Sequence, residues 1–296
     1  MKLMEIFDVP TQETHIPVPY VIAEAGVNHE GSMDIARRLV DEAAEGGANA
    51  IKFQTYKAGT LASKDSPAYW DTSKEPTSSQ YELFKKHDSF WKNEFEALKK
   101  YCDAAGIAFM STPFDVESAH FLNDLMDVFK ISSSDITNKP FIRILCDFKK
   151  PIILSTGAAH LHEIAEAVEW IEEKGNKLAL LHCVLNYPTA DENAALGMIP
   201  ALKRHSPSMP SAIPTTPCPT TCIFLKPPPC WARVFLKNTF RTTKPCPATT
   251  TTMPWTRKTS SISTSGSTPR WPAWATWNCA PCRKKNRHVS MPAAPW

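Results

Sequence analysis

The sequence predicts an α/β fold, a (β/α)8 TIM-type barrel that is interrupted after about six β/α units. Three observations predict it: six short apolar runs, amphipathic stretches between them, and an abrupt end to the alternation after His205. The strand candidates are residues 20–24, 50–54, 108–111, 128–131, 151–155 and 178–182. They are nearly continuous in Ile, Val, Phe and Leu, as strands covered on both faces must be. Ser32 is placed to cap a helix carrying Ile35, Leu39, Val40 and Ala43, and Gly46-Gly47 ends it. Residues 90–105 set Trp91, Phe95, Leu98 and Cys102 on one stripe. Residues 162–174 gather Ile164, Val168 and Ile171, with Glu163, Glu166 and Glu173 on more polar sides and Lys174 near the C-terminal end. Repeated β–α units imply parallel strands joined by right-handed crossovers. Six units fit a barrel two short of eight or an open doubly wound sheet, and the lack of a Gly-rich dinucleotide fingerprint favours the barrel.

Charge divides the chain at the same point. Residues 1–205 hold all 30 Asp and Glu, whereas residues 206–296 hold 12 Lys and Arg, 16 of the 26 Pro and no acid. The formal charge therefore runs from −9 to +12. The expected organisation is a partial barrel over residues 14–205 and a Pro/Thr-rich basic tail over 206–296, largely disordered for want of periodic apolar faces. Tail charges are scattered singly apart from Arg257-Lys258 and Arg283-Lys284-Lys285, which argues against a nucleic-acid partner. No signal peptide and no bilayer-spanning run are recognised, so no membrane partner is expected. Cys102, Cys146 and Cys183 lie on separate elements, as suits reduced thiols in a cytoplasmic protein.

Polar residues gather where the strands end. Glu24 leads into Gly26-Val27-Asn28-His29; Lys52 and Gln54 lie on the second strand; Ser111-Thr112 close the third. Lys130 precedes Ser132-Ser133-Ser134-Asp135, Ser155-Thr156-Gly157 end the fifth strand, and His182-Cys183 the sixth, followed by Asn186-Tyr187. A charge inside an apolar strand is costly unless something pairs with it. One such lysine reads as a snorkelling edge residue or an ion pair with Glu24. Lys52 and Lys130 on two strands, with hydroxyls at three other strand ends, point instead to a shared anion carrying phosphate and carboxylate groups. His29-Glu30 lacks the second His of a zinc motif, His182 reads as structural, and Cys183 as a buried small apolar residue. Glu82, Lys85 and Lys86 read as a solvated helix face.

The motifs IAEAGVNHEGS, IKFQTYKA, STPFD, FKISSSDITN, ILSTGAA and LLHCVLNYPT, with the Tyr81-Glu82 region, resemble the sialic acid synthase family. That family condenses phosphoenolpyruvate with an N-acylhexosamine such as N-acetylmannosamine, giving a nonulosonic acid and phosphate. The resemblance covers about residues 18–205. It implies that Lys52, Lys130, Thr112 and Ser155 hold phosphoenolpyruvate, that Gln54 and Tyr187 contact the sugar, with Asn186 beside them, and that Asp135 moves a proton. Glu24 would orient or balance the lysines. A divalent metal, Mn or Mg, is implied as the Lewis acid that polarises the sugar aldehyde. Synthases of legionaminic or pseudaminic acid, and a non-catalytic anion-binding remnant, are the alternatives.

Family barrels continue with a seventh strand ending in GYSDHT and an eighth ending in EKHF, each bringing a metal-binding His. This chain has neither. Residues 212–218, AIPTTPC, can however be encoded so that reading one base earlier gives GYSDHTL. In that frame residues 237–256 read EKHFSHDKTLPGNDHYHAMD and residues 274–285 read MGDLELRPLPEE. The test is restrictive, because a Thr codon then yields only Tyr, His, Asn or Asp. A frame displacement between about His205 and Ala212 is therefore expected, with both His ligands lost, the edges of strands one and six bare, and activity impaired. A family-like homodimer is doubtful in such a chain, and Cys279-x-x-Cys282 is an accident of the displaced frame rather than a zinc site.

Overall fold

The computed structural model describes residues 3–7, 20–68, 70, 72–73, 75–185, 189, 193–205, 211–214, 222–223 and 237–239. All of them belong to one unit, Met1–Ser261. The rest of the tail, expected to be largely disordered, lies outside the described residues.

Strands and helices alternate through β1 (Ile22–Gly26), α1 (Met33–Glu45), β2 (Ala50–Thr55), α2 (Ala58–Leu61), α3 (Gln80–His87) and α4 (Lys92–Ala104). The order continues with β3 (Ala108–Pro113), α5 (Val116–Asn123), β4 (Phe129–Ile131), α6 (Lys139–Asp147), β5 (Ile152–Ser155), α7 (Leu161–Glu172), β6 (Leu178–Leu181) and α8 (Met198–His205). Local chemistry sets these ends. Ser32, Ser79, Asp115 and Asn138 each accept a backbone N–H in the first turn of α1, α3, α5 and α6. Glu94 and Glu163 reach back to the N–H of Trp91 and His160 at the starts of α4 and α7. Gly47, Gly106 and Gly175, all left-handed, follow α1, α4 and α7 and let the chain turn back to the next strand.

The six main strands are parallel, in two hydrogen-bonded sheets of order β3-β2-β1-β9 and β4-β5-β6-β7-β8, where β7 is Ser211–Pro214, β8 Cys222–Ile223 and β9 Lys237–Thr239. Their side chains alternate between two cores. Ala23, Ile51, Phe53, Phe109, Ile131, Leu154 and Leu180 point outward and pack against the helices. Ile22, Ala50, Met110, Val128, Ile153 and Ala179 point the other way and form an inner cluster, joined by Leu3 and Ile6 of a 3-10 turn, Leu3–Phe7. That inner cluster is the floor on which the polar residues stand.

Several expectations change. β1 runs on to Gly26 rather than closing at Glu24, and β6 ends at Leu181, so His182 lies just beyond it. The edges of β1 and β6 are not bare. β7 (Ser211–Pro214) pairs in parallel with β6, and β9 (Lys237–Thr239) in parallel with β1. β8 (Cys222–Ile223) adds an antiparallel pair to β7. Strand pairing uses backbone N–H and C=O groups, so altered side chains do not by themselves forbid it. Among the described residues no helix is long and apolar enough to cross a membrane.

Candidate functional site

Stepping two residues along each strand from the inner cluster leads to the polar residues. Ile22 is followed by Glu24, Ala50 by Lys52 and then Gln54, Met110 by Thr112, Val128 by Lys130, and Ile153 by Ser155. Strand period alone thus brings Glu24, Lys52, Gln54, Thr112, Lys130 and Ser155 to one face, toward the C-terminal ends of parallel strands. Five of these six are buried, Gln54 being half-buried.

The best-defined contact centres on Lys52. Its Nζ lies 2.8 Å from Glu24 Oε2 and donates to Glu24 Oε1 at 3.0 Å and to Thr112 Oγ1 at 2.9 Å. Glu24 and Lys52 are register partners on β1 and β2, so the pair is written into the ladder. The ion pair with Glu24 is thus present, and Lys130 is a second buried lysine on the same face. Lys130 Nζ donates to Ile131 O at 2.6 Å, which bends the ammonium back toward its own strand end. Lys130 also interacts electrostatically with Asp135, so two ammonium groups lie near these strand ends with the carboxyls of Glu24 and Asp135 beside them.

Gly26 closes the first strand with φ +55°, and a Cβ there would lie 3.5 Å from Glu24 Oε1 and 3.7 Å from Gln54 Nε2. Those distances are ordinary contact, so glycine is favoured here by the left-handed backbone of the β1 exit turn rather than by space. Asp135 sits past the end of β4, in a 3-10 turn, Ser133–Asp135. Burial pushes its carboxyl above the usual range, opposed by hydrogen bonds from Ser134 and Asn138 and by the charge of Lys130. Asn186 and Tyr187 lie outside the described residues.

Other residues resolve differently. His182 is buried and its Nε2 is 3.0 Å from Ala194 O, an anchor for the chain after β6. Cys183 is half-buried rather than buried, pressed against Gly157. Lys85 and Lys86 are not simply a solvated face: they reach the buried carboxylates of Asp88 and Glu75. His29 stacks on Phe90 with ring centroids 3.9 Å apart, and its Nδ1 accepts the Gly31 N–H at 3.1 Å. Thr156 and Gly157 carried no signal in the sequence beyond their place after a strand, because a close approach between two loops leaves no periodic trace.

The described residues offer no ready ligand set for a divalent metal. Among the described residues no group of three His, Cys, Asp or Glu stands ready to hold one. The backbones that extend the sheets at β6 and β1 carry Ser-Ala-Ile-Pro and Lys-Asn-Thr, with neither imidazole nor carboxylate.

Comparison with known proteins agrees with this layout. Residues 39–210 match the model of the NeuB family. The chain is 39% identical over 190 residues to the N,N'-diacetyllegionaminic acid synthase of Campylobacter jejuni, a stretch covering 62% of this chain and 56% of that protein. It is 41% identical over 186 residues to an uncharacterized protein of Methanocaldococcus jannaschii, covering 62% and 51%. Among solved structures, the N-acetylneuraminic acid (sialic acid) synthetase of Leptospira borgpetersenii, in complex with citrate, aligns with TM-score 0.57 and 34% identity over 66% of this chain and 64% of that one. The chain spans about half the length of the curated relatives it matches. With the motifs, the parallel α/β fold and the family match in agreement over the same residues, the chain belongs to the NeuB family, whose named members here are synthases of sialic-type acids.

Proposed function

We propose that this chain carries the phosphoenolpyruvate-binding half of a nonulosonic-acid synthase, the enzyme that condenses phosphoenolpyruvate with an N-acylhexosamine of the N-acetylmannosamine type. The observation that carries the reading is the single inner face of Glu24, Lys52, Thr112, Lys130 and Ser155 above an apolar floor. In this reading the two ammonium groups hold phosphate and carboxylate, and Thr112 keeps Lys52 aimed. Glu24 keeps Lys52 charged and fixed in the absence of ligand, and Gln54 faces the sugar side. Asp135, its carboxyl raised above the usual range by burial, is the group that gives and takes a proton. Asn186 and Tyr187 complete the sugar side by resemblance. The protein acts in the cytoplasm.

Residues 14–205 are the synthase-like part of an interrupted (β/α)8 barrel, and residues 206–296 are translated from a displaced frame. Support comes from where the family match stops, at residue 210, and from β7 and β9, which fall where the alternative frame encodes the seventh- and eighth-strand motifs. Because the metal set is missing among the described residues, condensation by this chain is impaired while anion binding persists. Legionaminic and pseudaminic acid synthases remain the neighbouring readings for the sugar. The test is incubation with phosphoenolpyruvate, Mn²⁺ and a panel of N-acylhexosamines, with product detection by mass spectrometry, beside thermal protection by phosphate. Protection without product is expected. Turnover overturns the impairment, and absence of both overturns the anion site.

A further inference from the structure

We infer that Gly157 is a positioning residue for the anion site: its missing side chain seats the turn after β5 beneath the chain leaving β6, and so fixes the Ser155 hydroxyl. This rests on the anion-binding reading above. A Cβ built on Gly157 would stand 2.7 Å from Cys183 Sγ, 3.0 Å from Cys183 O and 3.1 Å from Cys183 C. Gly157 is not among the left-handed glycines, so the requirement is for space rather than for backbone freedom.

The contact has little room to relax. Thr156 donates to Leu181 O through its backbone N–H at 3.0 Å and through Oγ1 at 3.3 Å, tying the turn to β6 one residue before Gly157. His182, next to Cys183, is held by Ala194 O at 3.0 Å. With β6 anchored on that side, a methyl group at position 157 pushes the β5 turn instead. Ser155, the register partner of Leu181 and two residues from the collision, moves with it. The hydroxyl would leave the face it shares with Lys52 and Lys130.

The experiment uses the full chain, inorganic phosphate as probe, and two variants, Gly157→Ala and Gly157→Ala with Cys183→Ala. Gly157→Ala is expected to weaken phosphate binding by about tenfold, the worth of one hydrogen bond to a charged group. Titration calorimetry reads this at unchanged circular dichroism. Removing Sγ, the nearest obstacle, recovers part of that loss, because the remaining backbone contacts need only a few tenths of an ångström. In the single variant, alkylation of Cys183 by iodoacetamide, mapped by peptide mass spectrometry, is expected to be faster than in wild type. Wild-type affinity with an unchanged alkylation rate overturns the inference. So does a loss that Cys183→Ala does not relieve, or a failure of both variants to fold, either of which makes the glycine purely structural. If the wild-type chain binds no phosphate, the anion reading fails by itself, and the alkylation rates still decide whether Gly157 holds Cys183.

Discussion

Lys52 and Glu24 are a buried pair whose structural cost can be separated from the binding proposed for it. Both are buried, and each would be a costly orphan without the other. Glu24→Ala is expected to destabilise the chain by about 3 kcal/mol or more, because it removes the carboxylate that pairs with the buried Lys52 ammonium at 2.8 Å. Urea denaturation measures it. The double change Glu24→Ala with Lys52→Met should recover most of that loss while abolishing phosphate protection, which separates the pair's structural cost from its ligand. Equal destabilisation in the single and double variants would show that the carboxylate, rather than the orphaned ammonium, is what matters. This part of the site was legible in the sequence, since a lysine two positions beyond a buried Ala or Val must share its face. Gly157 was not legible, because its partner lies on another strand's exit loop and no spacing within either motif announces the contact.

At the scale of elements, the strands were more readable than the helices between them. α6 has no counterpart among the helices expected from the sequence; its Pro140 sits in the first helical turn, where no N–H is needed. α5 and α8 are each two turns long and lack the extended stripe that marked α1, α4 and α7. The connection from β2 to α4 folds on itself: Asp88 accepts the Ala58 N–H at 3.0 Å, and Lys57 donates to Asp88 O at 2.8 Å. Against this connection packs the β1–α1 loop, where a Cβ on Gly31 would meet Ser89 Oγ at 2.7 Å and His29 lies on Phe90. Burial first, then the nearby His87, lowers the His29 pKa from 6.5 to about 4. The folded loop therefore holds a neutral ring, while the unfolded chain takes up a proton below about pH 6.5. The contribution is present above pH 6.5 and is lost as pH falls from there to about 4, amounting to about 3 kcal/mol at full loss. His87 and His182, also lowered mainly by burial, act in the same direction. His29→Asn, which keeps an acceptor for the Gly31 N–H, should flatten the fall in unfolding free energy over that window. Parallel profiles for the two proteins would show that this ring is not the group taking up the proton.

For the whole molecule, the decisive fact is that backbone pairing and side-chain chemistry part company after His205. Up to that point composition, period and motif agree, which is why the parallel α/β layout and the inner polar face could be read from the residues. Beyond it, the side chains give no periodic signal, yet three- and four-residue segments still pair with β1 and β6. Three backbone pairs beside β1 and two beside β6 can hold a strand's place but supply no metal ligand and little buried apolar surface. A displaced frame accounts for both observations: the strand positions persist while their residues do not. Sequencing the gene across codons 200–215 tests this directly, and a nucleotide sequence whose alternative frame encodes neither GYSDHT nor EKHF sinks it. If the frame is displaced, restoring it by one base between the codons for His205 and Ala212 replaces Ala-Ile-Pro by Gly-Tyr-Ser and Lys-Asn-Thr by Glu-Lys-His along those edges. Imidazole then returns to the strand beside β1 and to the end of the strand beside β6. The restored chain should acquire Mn²⁺-dependent thermal protection and phosphate release from phosphoenolpyruvate in the presence of an N-acylhexosamine. The present chain should show protection by phosphate alone. Equal responses to Mn²⁺ in the two chains would mean that residues before His205 hold the metal, and that the break at His205 removes something other than the metal half of the site.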